Sequence, residues 1–305
     1  MNSNLELPNT SIEDQVSLTH SYFLLGMLFE KVRNEPIYTQ VHPLFLLHTA
    51  YTLQKEYSEA PEILNIWKYL VGINIPQLKE LKKIQELFCI IAAMQDISQS
   101  DGHITAKFLE KYFANYLGKN ISKIQNISVS LKKETHEVVL SKIIFEINNL
   151  VSSQKVLQKY PLIVRLISNA AISVNGLLPY PYLNIDFSED QELVGISNKS
   201  VTKALEKCMR EFDQLKNMHS MHLKRIATLG RVSGSAEKLY TYLLKKPVVT
   251  TKDVQSILGI AKPNALLMID RFIEIGILCQ MSTGERNRIY GHYDLLKIFD
   301  LNQIK

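Results

Sequence analysis

Cysteine is nearly missing from this chain. Three residues in 305, Cys89, Cys208 and Cys279, stand too far apart for a zinc or redox motif, so no metal centre is expected from them. Thiols so scattered fit a reduced, cytoplasmic interior. Long apolar runs are also lacking. The longest, Leu87 to Met94, falls well short of the ~20 residues that span a bilayer. The opening MNSNLELPNT has no basic start followed by an apolar stretch, so no secretion signal and no membrane partner are expected. A GxxxxGK[ST] phosphate loop, a GxGxxG turn after a strand and a GxSxG elbow are all absent, which leaves no catalytic residue or cofactor visible by motif. Strand-like alternation is scarce before residue 277, and Trp67 is the sole tryptophan, a core candidate.

What the chain has in quantity is helical spacing. Apolar content of 46% is enough for a sizeable core, and 305 residues suggest about two domains. Residues 1–15 read as a flexible lead. Helical patterns follow at Val16 to Arg33, Pro43 to Tyr57, Ala60 to Val71, Gln77 to Gln95, Ala106 to Tyr116, His136 to Leu150 and Lys159 to Val174. The fold class is mainly α. His42 and His48 flank Pro43-Leu44, but no carboxylate or cysteine lies at ligand spacing; a helix start with Pro43 in its first turn accounts for the pair. Asp96 and Asp101-Gly102-His103 lack the regular ligand ladder and closing glutamate of a calcium loop, so a polar turn between helices is the better reading.

The last seventy residues are the most specific. A first helix, Ala236 to Leu244, ends at Lys245-Lys246-Pro247. Thr250-Thr251 with Asp253 announce a second, with Val254, Ile257 and Leu258 on its buried face, and Gly259 makes the turn. Lys262-Pro263 open a third, whose apolar side is Leu266, Leu267, Ile269, Phe272 and Ile273, and Gly276 stops it. Ile277 to Met281 and Arg288 to Tyr290 are β-type runs around a polar loop centred on Gly284. That order predicts a winged helix-turn-helix, an α module with a small β-hairpin, over 235–305. Such modules hold duplex DNA, and some serve only protein contacts.

Charge is divided unevenly. Residues 201–305 hold 17 Lys+Arg against 10 Asp+Glu, a net of +7, whereas residues 1–200 hold 18 against 20, a net of −2. The basic excess coincides with the helix-turn-helix pattern, where a phosphate-binding surface is expected.

The segment Gly176-Leu177-Leu178-Pro179-Tyr180-Pro181-Tyr182-Leu183, the phrase KPVVTTKDVQSILGIAKPNA, the run Phe272 to Leu278 and the phrase TGERNRIY together resemble the Fic family over about 160–305. The resemblance implies a helical Fic-like domain at 16–199, a helical linker at 200–234 and the winged helix after it. In that family a motif HPFx[DE]GNGRxxR supplies a histidine as general base, a glycine-rich phosphate loop and arginines that hold nucleotide phosphates. Here the corresponding stretch, Gln154 to Arg165, has no histidine, no glycine and no GNGR. Only Arg165 stands where the family's final arginine would, as a nucleotide-binding candidate. Without the glycines the backbone cannot approach phosphate closely, and without the histidine the base is gone. The family's inhibitory [ST]xxxE[GN] motif is missing too.

The expectation is therefore a cytoplasmic DNA-binding regulator on a degenerate Fic-like scaffold, with double-stranded DNA as partner. The helical stretch Ser200 to Met221 joins the two parts and offers a surface for a homodimer. Lys262, Asn264 and Met268 are expected to face the major groove, and Arg286, Asn287 and Arg288 to reach phosphate or minor groove from the wing. Lys224, Arg225 and Arg231 are expected to add backbone contacts. Two alternatives stay open. One is a Fic-type AMP transferase with a site rebuilt from Arg165 and His42 or His136; the other is a protein-interaction module.

Overall fold

The computed structural model describes residues 12–99, 103–117, 128–130, 140–153, 160–175, 197–282 and 287–302. In chain order these form α1 (Ile12–Asn34), α2 (Pro36–Tyr57), α3 (Ile63–Leu70), α4 (Leu78–Gln99), β1 (His103–Thr105), α5 (Ala106–Leu117), β2 (Ser128–Ser130), α6 (Leu140–Ser153), α7 (Pro161–Val174) and α8 (Asn198–Ala227). A 3-10 turn (Gly230–Val232) leads to α9 (Ser233–Lys245), β3 (Val248–Thr250), α10 (Thr251–Leu258), α11 (Lys262–Glu274), β4 (Leu278–Gln280), β5 (Ile289–His292) and α12 (Tyr293–Ile298). The chain is mainly helical, and among the described residues no helix is long and apolar enough to cross a membrane.

Contacts divide the chain into two compact units. Unit 1 is Met1–Arg33 with Ala92–Met209, and unit 2 is Asn34–Ile91 with Arg210–Lys305. In unit 1, α6 packs on α7. Ile143 and Ile147 of α6 and Leu162, Ile163, Leu166 and Ile167 of α7 are buried at helical spacing. Leu24, Leu25 and Leu28 of α1 and Val201 and Leu205 of α8 are buried as well. The Thr202 hydroxyl meets Ser17 Oγ at 2.8 Å and Ser21 Oγ at 2.7 Å. β1 and β2 form an antiparallel pair with His103 opposite Ser130, outside the helical patterns read from the sequence.

Unit 2 is built around aromatic rings. Tyr38 of α2 stacks on Phe212 of α8 at 4.2 Å, and Phe45 sets its edge against Phe212 and Phe299 at 5.3 and 4.8 Å. The polar tips of Tyr38 and Trp67 find acceptors, as burial of a polar tip requires. Tyr38 donates to the Phe212 carbonyl at 3.1 Å and Trp67 to the Leu301 carbonyl at 3.2 Å. Trp67 is 1% exposed, so it is core as expected.

The reading of Pro43 as a helix start is corrected. α2 begins at Pro36, which occupies its first turn, and Pro43 lies inside the helix. An internal proline removes one hydrogen bond to the residue four back. Pro43 and Thr39, whose carbonyl loses that donor, are both exposed, so water can replace it. The flanking Val41, Leu44 and Phe45 are buried and hold the helix through the defect.

The C-terminal elements of unit 2 follow the local cues closely. Thr250 caps α10: its hydroxyl oxygen accepts from Asp253 N–H at 3.3 Å, and the Asp253 carboxylate accepts from Thr250 N–H at 2.7 Å. Gly259 (φ 66°) and Gly276 (φ 70°) end α10 and α11 in the left-handed region, which suits glycine. Pro263 sits in the first turn of α11. β4 and β5 pair antiparallel, with Cys279 opposite Gly291. The expected two-stranded hairpin gains a third member: β3 pairs with β5, giving a sheet of order β3-β5-β4. Gly291 sits in the central strand, where an added Cβ would come within 2.2 Å of Met281 Sδ and 2.9 Å of Leu296 Cδ1. A side chain there would have to displace the Met281 and Leu296 side chains. The loop tip around Gly284, with Arg286, lies outside the described residues.

A ring cluster ties α8, α9 and β5 together. His222 and His292 lie with centroids 5.0 Å apart, and Tyr240 is 5.8 Å from each. His222 Nε2 meets Asp294 Oδ2 at 3.0 Å, and His219 Nδ1 meets the Tyr240 hydroxyl at 3.1 Å. His292 Nδ1 accepts the Leu295 N–H at 3.2 Å and so caps α12. That bond places the proton of the neutral imidazole on Nε2.

Candidate nucleic-acid interface

A groove of about 790 Å³ opens in unit 2 at the meeting of α10, α11 and β5. Its walls follow from the local folding above. The capping box starts α10 just after β3, which puts Thr250, Thr251, Lys252 and Gln255 along one side. The proline-opened first turn of α11 supplies Lys262, and Leu266 stands one turn on. The chain entering β5 supplies Asn287, Arg288 and Tyr290, and the turn after α3 supplies Val71 to Asn74. Asn287 is held at φ 57°, a left-handed conformation that asparagine tolerates better than most residues.

The electrostatics are one-sided. Lys252, Lys262 and Arg288 line the groove, and among the described residues lining it there is no Asp or Glu. The nearest acidic group along α10, Asp253, is occupied by the cap: its Oδ2 accepts from the Thr250 N–H and hydroxyl, both at 2.7 Å. Three cations with amide and hydroxyl neighbours, on a concave surface, are suited to contact several phosphates or other anions together.

The candidates named from sequence distribute as follows. Lys262, Asn287 and Arg288 converge on the groove. Asn264 is exposed in the first turn of α11. Met268, expected to face a groove of DNA, is corrected: it is 4% exposed and packs with Ala265, Ile269 and Phe272 on the inner face of α11. Leu267, expected in the core, is 49% exposed. The buried set Ala265, Met268, Ile269 and Phe272 is spaced three and four apart, so the face is turned by about one residue from the one read in sequence.

Arg225 is also redirected. Its Nη1 donates to the Ile275 carbonyl at 3.1 Å and would stand 3.3 Å from a Cβ at Gly276. A cation on the last carbonyls of α11 is favourable for the helix dipole, so this guanidinium is engaged within the fold. Lys224 and Arg231 are exposed but do not line the groove. Arg286 lies outside the described residues.

Arg165, the nucleotide candidate, is only 8% exposed within α7, among Leu162 to Ile167. Stretches 154–159 and 176–196, which carry the departure from the family motif and the GLLPYPYL segment, lie outside the described residues, as does His136. His42 belongs to unit 2 and Arg165 to unit 1. Burial pushes the His42 imidazole down to about 4, which leaves it neutral at pH 7 and a weak base. Asp96, weighed in the calcium reading, accepts from Tyr112 at 2.7 Å and Lys111 at 3.2 Å.

Lys252, Gln255 and the Val71 to Asn74 turn were missed in the sequence. Lys252 was findable, because it follows the cap by two residues and therefore sits on the first turn of α10. The turn after α3 carries no local signal for its place. No protein-family model matches the chain, and no curated protein is a significant match to it.

Proposed function

We propose that this chain is a DNA-binding regulator whose residues 235–305 act as a winged helix-turn-helix on a Fic-like scaffold that has lost its catalytic loop. The reading is carried by one observation: Lys252, Lys262 and Arg288 share a concave surface at the start of α11 with no described carboxylate lining it. The order helix, strand, helix, helix, strand, strand, with β3-β5-β4 pairing, supports it. So does the +7 charge of residues 201–305. In this reading α11 enters the major groove, and Arg288 and Asn287 hold backbone beside it. The protein works in the cytoplasm, as a dimer on two half-sites.

The test is binding of a labelled duplex by anisotropy at two salt concentrations. Three phosphate contacts predict a log–log salt slope near −2.7, or roughly 40-fold weaker binding at 200 than at 50 mM. Arg288→Ala should lower the slope by about one and weaken all sequences alike. Absence of binding at low salt, or binding indifferent to salt, would overturn the proposal.

A protein-docking role is the second reading, favoured by the exposed Leu267 and Ile273 on α11, at 49% and 40%. The transferase reading predicts transfer of labelled AMP from ATP with magnesium. None is expected, since the sequence lacks the family's histidine and GNGR, and transfer abolished by Arg165→Ala would reverse that.

A further inference from the structure

The groove is not made by the C-terminal elements alone. Val71 to Asn74, far upstream in the chain, line it together with Lys252, Lys262 and Arg288. This turn is locally fixed. Gly72, at φ 74°, closes the end of α3. Its N–H donates to the Tyr69 carbonyl at 3.1 Å, the Ile73 N–H to the Lys68 carbonyl at 2.8 Å, and the Val71 N–H to the Trp67 carbonyl at 3.1 Å. Three of the last four carbonyls of α3 are thereby occupied, so most of the acceptors that would oppose an anion at this helix end are already satisfied. On the other side of Asn74, Ile75 is buried and anchors the chain in the core. Asn74 is thus held between a closed helix end and a core residue, while its own side chain is exposed.

The lining is chemically of one kind. Lys252, Lys262 and Arg288 supply charge, and Asn74, Gln255 and Asn287 supply amide donors. Among the described residues no carboxylate lines the same surface. Cations mixed with asparagine and glutamine amides are what hold phosphate oxygens along a nucleic-acid backbone. An anionic strand seated on the three cations therefore also meets the turn, and Asn74 is the residue of the turn with a side-chain donor to offer it.

We propose that the turn after α3 is part of the DNA-binding surface: one sugar–phosphate strand of the duplex lies in the groove against the cations and the turn together, and the Asn74 amide donates to a phosphate there. The interface is then composite, and residues 235–305 hold only part of it. This rests on the DNA-binding reading, and its test separates the two. The purified full chain and variants at position 74 are titrated with a labelled mixed-sequence duplex at 50 and 200 mM salt. Asn74 is exposed and its backbone is not left-handed, so the substitutions are compatible with the fold. Asn74→Lys places a fourth cation on the strand and should raise the loss of binding between the two salts from roughly 40-fold to roughly 150-fold. Asn74→Asp should weaken binding, and more at 50 than at 200 mM, because salt screens the added repulsion. Asn74→Ala should weaken binding about fivefold at both salts, the worth of one hydrogen bond that releases no counterion. Gln214→Lys adds the same charge at an exposed position of α8 that does not line the groove, and should keep the wild-type salt slope. Salt-dependent binding by the wild type, with Asn74→Lys and Asn74→Asp both unchanged from it, overturns the inference and leaves the winged helix to bind DNA by itself. An equal steepening by Gln214→Lys also overturns it, since net charge would then be the cause. Failure of the wild type to bind the duplex at 50 mM removes the DNA reading and this inference together.

Discussion

The two compact units satisfy their internal polar groups by different chemistry. Unit 1 buries its α1–α8 contact with hydroxyls, Ser17 and Ser21 on Thr202, which carry no charge at any ordinary pH, and leaves the histidine–carboxylate contact between these helices, His20 Nε2 to Glu206 Oε1 at 3.2 Å, exposed at the surface. Unit 2 joins α8, α9 and β5 through imidazoles and a phenol, His219, His222, His292 and Tyr240, with Asp294 at the edge. Five of the eight histidines lie in unit 2. Rings bury more apolar surface than hydroxyls do, yet they can take up protons. Acid should therefore act on unit 2, which carries the basic groove, and leave the hydroxyl contacts of unit 1 alone.

The largest effect should come from the rings themselves. Phe212 is fully buried between Tyr38 and Phe45. Phe212→Ala should destabilise unit 2 by about 3–5 kcal/mol in urea unfolding, through lost transfer energy and the cavity left behind. A smaller loss would mean that the aromatic core collapses around the gap.

The acid response comes next. Burial pushes His292 down to about 3, with His222 adding to the shift, and burial also lowers His222 against the opposing pull of Asp294. A histidine with a depressed folded pKa binds fewer protons folded than unfolded. Its contribution is fully present above its unfolded pKa of about 6.5 and is lost as pH falls from there toward the folded value. Between pH 6.5 and 5, His292 alone should remove about 2 kcal/mol. His292→Asn keeps an acceptor to cap α12 and cannot titrate. It should flatten the pH dependence of the urea midpoint. A slope unchanged in this variant would place the acid sensitivity elsewhere.

The smallest effect sharpens the contrast. Thr202→Val removes the hydroxyl shared by Ser17 and Ser21 and should cost about 1 kcal/mol, by the same amount at pH 7.5 and pH 5. A cost that varies with pH would break the distinction between the two units.

Much of the C-terminal region was readable from single residues. Thr250 with Asp253, Pro263, Gly259 and Gly276 mark ends of α10 and α11 because capping and left-handed backbone depend on the nearest few residues. Pro43 misled because the same residue type serves at a helix start and, where the defect faces water, inside a helix. Strand β3 was overlooked because three residues after Pro247 have no periodicity of their own; they become a strand only against β5. Within the groove, Lys262, Asn287 and Arg288 were legible as cations and amides of a helix start and a hairpin. Lys252, Gln255 and the turn Val71 to Asn74 join them only through packing.

The sequence alone determined where helices start and stop near the C-terminus, that the chain is mainly α, and where its positive charge lies, since these depend on local backbone preference and composition. Tertiary structure decided which side of each helix is inside. Leu266, Leu267, Met268 and Ile269 are four apolar residues in succession, spread around the helix at about 100° per residue, and they cannot all face one core. Packing buried Met268 and Ile269 with Ala265 and Phe272 and left Leu267 in water. The same packing brought α2, α3 and the second half of α8 into one unit with the C-terminal strands. Those partners lie up to hundreds of residues apart in the chain, and burial of a shared apolar surface, not any local pattern, selects them.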